Sequence, residues 1–273
     1  MNSSITAMTG HYADSLITNN QRGLGIRVTG ERNKSLGFTI GLQSTRIDMA
    51  PITQVSTQNQ DNWLISGYTH KSSFMLPGRW TFQLDAHQVH NDAQQSNTSD
   101  VRSFAPQITW LSYSKPLKVD FSYASSNYKN TPATIHQLSS AITYGFNDAT
   151  DWLQVRSYAI KNLTMSEALG QSSTRATDFK LSHFLKTQYK LSPTNVTVGL
   201  ERGKRIYVVD MASQTVYNLP MLNEGGENIA ANWKLNPNTD LNLQLSKTRY
   251  YAESVAAHRF TLSTLSAQIV TAW

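Results

Sequence analysis

Apolar side chains recur at every second position in stretch after stretch of this chain, and long helical periodicity is absent. The segment 107–126, QITWLSYSKPLKVDFSYASS, shows the pattern well. Leu117, Val119, Phe121 and Tyr123 leave one side, and Lys118, Asp120, Ser122 and Ala124 the other. Successive side chains of a pleated strand point to opposite faces, so a period of two predicts strands. Tyr113-Ser114 and Lys115-Pro116 make a tight reversal, so this segment is a hairpin with almost no loop. The same alternation is clean at 36–42, 80–86, 179–185, 196–200 and 241–245.

About fourteen strands are predicted in this way: 3–13, 22–31, 35–47, 62–72, 79–90, 101–113, 117–128, 134–146, 152–162, 178–190, 195–208, 227–235, 240–251 and 258–272. Their connections alternate in length. Short turns at 32–34, 73–78, 114–116, 147–151, 191–194 and 236–239 are rich in Asn, Asp, Pro, Ser and Gly, as tight reversals require. Between them lie longer polar segments at 14–21, 48–61, 91–100, 163–177, 209–226 and 252–257; 129–133 falls on the long side but is short. Such alternation puts every short turn at one end of an antiparallel array. With an even strand count, both termini lie at that end too.

Aromatic residues sharpen the picture. Trp80, Trp110, Trp152, Trp233 and Trp273 fall near a short turn or the C-terminus, and Phe146 and Tyr189 join them. Rings gathered at one level of an array are expected where amphipathic aromatics meet lipid headgroups. These five tryptophans are therefore predicted to be membrane-interface residues.

Composition removes other classes. The 273 residues are 39% hydrophobic and 15% charged, with no Cys and a net charge of +6. No apolar run approaches the length of a transmembrane helix. A mean hydropathy of −0.40 does not argue against a membrane, because the two faces of an alternating strand cancel in it. The absence of Cys excludes a disulfide framework and Cys-based metal sites. No Lys/Arg-dense helix or stripe is present, so no nucleic-acid partner is expected. The N-terminal MNSSITAMTGHYADS lacks a basic region followed by an apolar core; Met1 is read either as the start of a cytoplasmic protein or as added to a processed chain.

The alternative to a membrane barrel is a soluble sandwich or barrel. Its apolar face would meet a dry core, and its polar face would form the exterior. Here the polar face is Gly, Ser, Thr, Asn, Gln and isolated charges, which suits a water-filled lumen better than a solvated outer surface. Closure also removes exposed strand edges, and lipid requires every backbone group to be paired. The expected fold is one domain spanning 1–273: an all-β, closed, antiparallel up-and-down transmembrane barrel of about 14 strands, within a range of roughly 12–16.

This pattern resembles a Gram-negative outer-membrane β-barrel, over essentially the whole chain. The last strand, FTLSTLSAQIVTAW from Phe260 to Trp273, is similar to the C-terminal signal that the barrel-assembly machinery reads, though Thr271 stands where a bulkier residue is usual. The resemblance implies an outer-membrane location, short periplasmic turns, long extracellular loops, and outer-membrane lipid and the assembly machinery as partners. It also implies a signal peptide already removed. The chain is alternatively the C-terminal barrel of a larger polymer exporter with periplasmic helical repeats, whose partners would include periplasmic export components.

Charges facing lipid at midplane cost roughly 2–4 kcal/mol for Arg or Lys, so those on the polar face are assigned to the lumen. They are Arg27, Glu31, Arg79, Asp85, His87, Lys118, Asp120, Arg156, Lys180, Lys186, Glu201 and Lys234. Two readings stand side by side. Either these residues make a mildly cationic pore that passes small polar or weakly acidic solutes, or they pair across strands and brace the wall. The seven His are scattered without metal-ligand spacing, and the tightest cluster, Asp85-Ala-His87-Gln-Val-His90, is read as structural. Gly23-Leu-Gly25 and Gly225-Gly226 precede no helix, so they are not phosphate loops. No catalytic residue, metal or cofactor is expected, although an outer-membrane enzyme or surface receptor remains an alternative to the channel. The longest loop, 209–226, holds Val216, Tyr217, Leu219, Met221 and Leu222, with Val208 just before it. It is expected to project beyond the membrane as a strand pair, 205–209 with 215–219, rather than fold into the pore.

Overall fold

The computed structural model describes residues 1–32, 35–50, 57–73, 75–92, 100–129, 133–162, 173–185, 193–206, 208–210, 215–216, 221–252 and 258–273. Its strands are β1 (Asn2–Ala13), β2 (Thr18–Arg32), β3 (Leu36–Met49), β4 (Thr57–Ser73), β5 (Gly78–Asn91), β6 (Asp100–Ser112), β7 (Leu117–Tyr128) and β8 (Ala133–Phe146). They continue with β9 (Asp151–Asn162), β10 (Ser173–Phe184), β11 (Asn195–Arg205), β12 (Val209–Asp210), β13 (Thr215–Val216), β14 (Leu222–Asn236), β15 (Thr239–Ala252) and β16 (His258–Ala272). All but the short β12 and β13 form one closed antiparallel barrel of fourteen strands, each paired with its neighbours in sequence.

Closure joins β1 to β16, in register from Asn2 opposite Ala272 to Ala13 opposite Thr261. The Met1 amino group donates to the Trp273 carbonyl at 2.9 Å, and the Trp273 N–H to the Met1 carbonyl at 3.0 Å. Both termini thus lie at the short-turn end, as an even strand count dictates. A closed ring leaves no strand edge, so its main-chain groups pair without water.

The two faces settle which side meets lipid. Ile65, Phe121 and Ile142 are 66%, 52% and 57% exposed, whereas Asp120, Ser122 and Ala124, on the other face, are 1%, 3% and 2% exposed. Leu24, Ile40, Phe82, Phe104, Leu138, Phe179, Leu200 and Leu265 stand outward in the same way around the ring. So continuous an apolar surface is too large for a soluble exterior and marks a lipid-facing belt.

Several predicted boundaries move. Strand β10 begins at Ser173 rather than 178 and ends at Phe184 rather than 190, because its pairing with β9 already starts at Ser173 opposite Lys161. Strand β4 likewise begins at Thr57, paired with Asp48 of β3. Trp80 and Trp110 are direct cross-strand partners, and Trp233 lies opposite Leu241. Trp152 departs from this set. It lies opposite Gly145 and buried Ser182, on the lumen face, while its neighbour Leu153 points outward. Nearness to a turn fixes a ring's level on the wall; only strand parity fixes its face. Tyr189 and Lys186 lie outside the described residues.

Candidate functional site: the barrel lumen

The chain between β11 and β14 determines the shape of the lumen. Both strands lose register as they approach it, between Arg202 and Arg205 in β11 and between Asn223 and Gly225 in β14. Bulges bend a strand and re-aim the residues beyond them. Gly203 (φ +97°) and Gly225 (φ +108°) adopt the left-handed conformation these bends need. A Cβ on Gly203 would stand 2.4 Å from the Arg175 carbonyl oxygen, and one on Gly225 2.5 Å from that of Glu201. The two glycines therefore allow the chain to turn where neighbouring backbone is closest.

At this neck Arg205 reaches across the wall. Its Nη1 donates to both carboxylate oxygens of Asp178 at 3.1 and 3.0 Å, its Nη2 pairs with Glu201, and its guanidinium lies 5.5 Å from the centre of the Tyr158 ring. A planar fork held on two carboxylates and an aromatic face is rigid.

Beyond the neck the segment enters the barrel. Val209 pairs with Val216, and Asp210 with Thr215, as a short hairpin. Val208, Val209 and Val216 are 3%, 1% and 2% exposed. They pack with Ile206 and Leu222 on Val89, Val101, Ala105, Ala124, Tyr128, Ile135, Tyr158 and Ile160, inward residues at the loop ends of β5 to β9. Met221 packs on the opposite side with Tyr12, Ile47, Tyr250, Phe260 and Leu262. Gln137 of β8 fastens the hairpin to the wall, donating to the Val209 carbonyl at 2.7 Å and accepting from the Val209 N–H at 3.1 Å.

The projecting strand pair expected from the sequence is therefore corrected. A hairpin forms, but it folds inward, because the wall opposite it is apolar and desolvates its valines. The signal was present in the chain. Tyr128, Ile135, Tyr158 and Ile160 occupy the polar register of their strands near long loops, where a merely wet lumen would not place them. Tyr217 and Leu219 lie outside the described residues.

Among the described residues, a second part of the lumen holds a space with a mixed polar and apolar lining. This space of about 480 Å³ runs along β1 to β4 and β14 to β16. It is lined by Ser4, Thr6, Gln21, Gln43, Thr45, Asn62, Asn242, Gln244, Ser246 and Gln268, and Ile206, Val208, Val216 and Met221 bound it where the inserted segment lies. Among the described lining residues only Arg27, Glu201 and Arg205 carry charge.

Strand parity places Arg27, Glu31, Arg79, Asp85, His87, Lys118, Asp120, Arg156, Lys180, Glu201 and Lys234 on the inner face. Arg205, Asp178 and Asp240, not assigned there from sequence, join them. Most of these charges meet a partner. Asp120 accepts from Thr109 at 2.6 Å, lies 3.2 Å from Lys118 Nζ, and faces Arg156 at 3.8 Å. Lys234 lies 3.2 Å from Asp240, and Glu31 3.9 Å from His70. Arg27 interacts electrostatically with Asp85, which also accepts from Gln83 at 2.9 Å. Among the described residues, the added acids and these pairings leave the wall closer to neutral than the sequence count implied, Lys186 lying outside them. His87 approaches Asn62 at 3.4 Å, and His90, on the outer face, approaches Asp100 at 2.8 Å. Among the described residues no three His, Asp or Glu converge as a metal site.

A belt of outward apolar side chains around a closed antiparallel ring of fourteen strands decides the class. The fold is that of an outer-membrane β-barrel. Solved structures agree on it at low sequence identity. A bacterial polysaccharide outer-membrane secretin superposes with a TM-score of 0.56 at 12% identity, covering 100% of this chain and 98% of that one. The CymD monoaromatic hydrocarbon channel gives 0.59 at 9% identity, covering 100% and 88%. The Pseudomonas putida toluene transporter TodX gives 0.56 at 7%, covering 98% and 87%. No family model and no curated protein matches the sequence.

Proposed function

We propose that the protein is an outer-membrane channel for small polar solutes, neutral or weakly acidic, that cross through the lumen space beside the inserted segment. The observation that carries this reading is the lining of that space: amides and hydroxyls make up about half of it, spread over β1 to β4 and β14 to β16, with apolar side chains between them and three charged groups, Arg27, Glu201 and Arg205. Amides and hydroxyls exchange hydrogen bonds with a hydrated solute without holding it, which passage requires. The near balance of charge along the wall predicts weak ion selectivity rather than strong anion preference. Purified barrel in planar bilayers is expected to give discrete conductance steps with a cation-to-anion permeability ratio near one. In liposome swelling it should pass monosaccharides faster than trisaccharides. Silent bilayers and liposomes that do not swell would overturn the reading in favour of a receptor or an enzyme.

A second reading is export of a neutral polysaccharide, working with periplasmic export components. It is favoured by the likeness, over nearly the full length of both chains, to a structure described as a polysaccharide secretin. The same amide-rich wall suits a glycan. Loss of secreted or capsular polymer on deletion of the gene, with unchanged uptake of small sugars, would select export over diffusion.

A further inference from the structure

On the lipid side of the wall, β14, β15, β16 and β1 hold a groove of about 670 Å³, walled mainly by carbon. Its floor is one register row: Ile229 opposite Leu245, Leu245 opposite Leu265, and Leu265 opposite Thr9. Small Thr9 beside three large aliphatic side chains leaves the hollow. Two residues nearer the loops, the next row carries Lys247, opposite Ser263 on one side and Glu227 on the other. The row above that holds Arg249, opposite Gly225, which in turn lies opposite Arg202.

Lys247 and Arg249 thus stand roughly 7 Å apart on one face, and Arg249 and Arg202 about 10 Å apart across a glycine that leaves the gap bare. All three are exposed, and among the described residues none makes an ion pair. By contrast Arg46, on the outward face of β3, lies 3.5 Å from Asp48.

Uncompensated cations on a lipid-facing wall are costly unless the lipid itself supplies the anion. An apolar trough with three cations at its loop-side end has the polarity of an anionic amphiphile. We infer that this face binds a phosphate-bearing lipid of the leaflet on the loop side, its chain along the Ile229–Leu245–Leu265 row and its phosphate held by Lys247, Arg249 and Arg202. Two carboxylates lie nearby: Glu224, beside Gly225, is taken by Arg259 at 2.8 Å, and Glu227 lies opposite Lys247 on the side away from Ser263, so neither is ion-paired with Arg249 or Arg202. A second copy of the chain would instead have to present carboxylates at this height.

Native mass spectrometry of the detergent-solubilised barrel, titrated with phosphatidylglycerol or with phosphatidylcholine of the same chains, tests the site. Phosphatidylglycerol should be retained at least about tenfold better. The triple variant Lys247→Gln/Arg249→Gln/Arg202→Gln should fall to the phosphatidylcholine level, Arg249→Gln alone should lie between, and Arg46→Gln should match the parent. Heat-modifiable electrophoretic mobility checks that each variant is folded; Arg249→Gln, at one exposed position, serves if the triple variant is not. Equal retention of the two lipids, unchanged retention in the folded variants, an equal loss in Arg46→Gln, or dimers in place of lipid adducts would each overturn the inference.

Discussion

Gln137 and Val209, 72 residues apart in sequence, make a two-way clamp: the Gln137 side-chain amide takes both the N–H and the C=O of Val209, at 3.1 and 2.7 Å. An amide side chain here imitates a neighbouring strand. It completes the pairing of a hairpin that has only one strand partner of its own, at a place closed to water by surrounding valines. Such groups are costly to leave unpaired when buried.

Substituting Gln137→Leu keeps the volume and removes both bonds. Leaving the Val209 groups unsatisfied should cost about 1–3 kcal/mol, enough to shift the docked segment toward release by roughly 5- to 150-fold. The expected outcome is higher or more flickering single-channel conductance without loss of folded barrel. Conductance identical to the parent would mean that the clamp does not hold the segment in place.

The bends that send the segment inward should be equally sensitive. Gly203→Ala and Gly225→Ala each place a methyl group about 2.5 Å from a backbone oxygen, in a conformation that L residues avoid at a cost of roughly 1–2 kcal/mol. Both should lower the urea midpoint of the barrel in lipid vesicles. Gly67→Ala on β4, where a Cβ meets nothing within 4 Å, should leave it within error of the parent. A shift at Gly67 as large as at Gly203 would show that close backbone approach is not what these glycines relieve.

These positions also show where sequence reading ends. Leu117, Val119, Phe121 and Tyr123 against Lys118, Asp120 and Ser122 reveal two faces, because strand parity is a local property. Alternating turn lengths reveal up-and-down order, and the even strand count brings Met1 beside Trp273. The direction of the 206–221 segment is not local. Its valines are compatible with projection or insertion, and the decision is made by Tyr128, Ile135, Tyr158 and Ile160, spread over three other strands. Pairing of lumen charges is non-local as well: Asp120 and Arg156 meet only because β7, β8 and β9 align Asp120, Ala141 and Arg156 in one row. Trp152 failed for a simpler reason, since its position near a turn says nothing of which way it faces.

That same row makes a stability prediction. Arg156 is 5% exposed and Asp120 1%, so removing the carboxylate strands a guanidinium among buried groups. Asp120→Ala should destabilise the barrel by about 3 kcal/mol, the lower end for breaking a buried pair, since partly exposed Lys118 can turn to the lumen water. Adding Arg156→Leu should recover part of that loss, and a double variant no more stable than Asp120→Ala would show that the pair is not coupled. Chemical unfolding in vesicles measures both.

The assignment of faces can be tested with one charge moved across the wall. Phe121 stands 52% exposed on the outside of β7, whereas Gln244 lines the lumen space on β15. An arginine at position 121 must sit in hydrocarbon and should cost roughly 2–4 kcal/mol if Phe121 lies near the bilayer midplane, less toward either interface. An arginine at position 244 meets water and neighbouring amides, so folding should change by well under 1 kcal/mol, within the usual range for solvated substitutions of about 0.5 kcal/mol. Its effect should appear in conduction instead, as a shift of reversal potential toward anions under a salt gradient. Phe121→Arg should leave the reversal potential where it was in whatever fraction inserts. The two substitutions thus separate in opposite directions on two readouts, and a soluble protein with its oily face turned inward could not produce that crossing. If Phe121→Arg folds as readily as the parent in vesicles while Gln244→Arg fails to insert, the lipid-facing and water-facing surfaces have been exchanged.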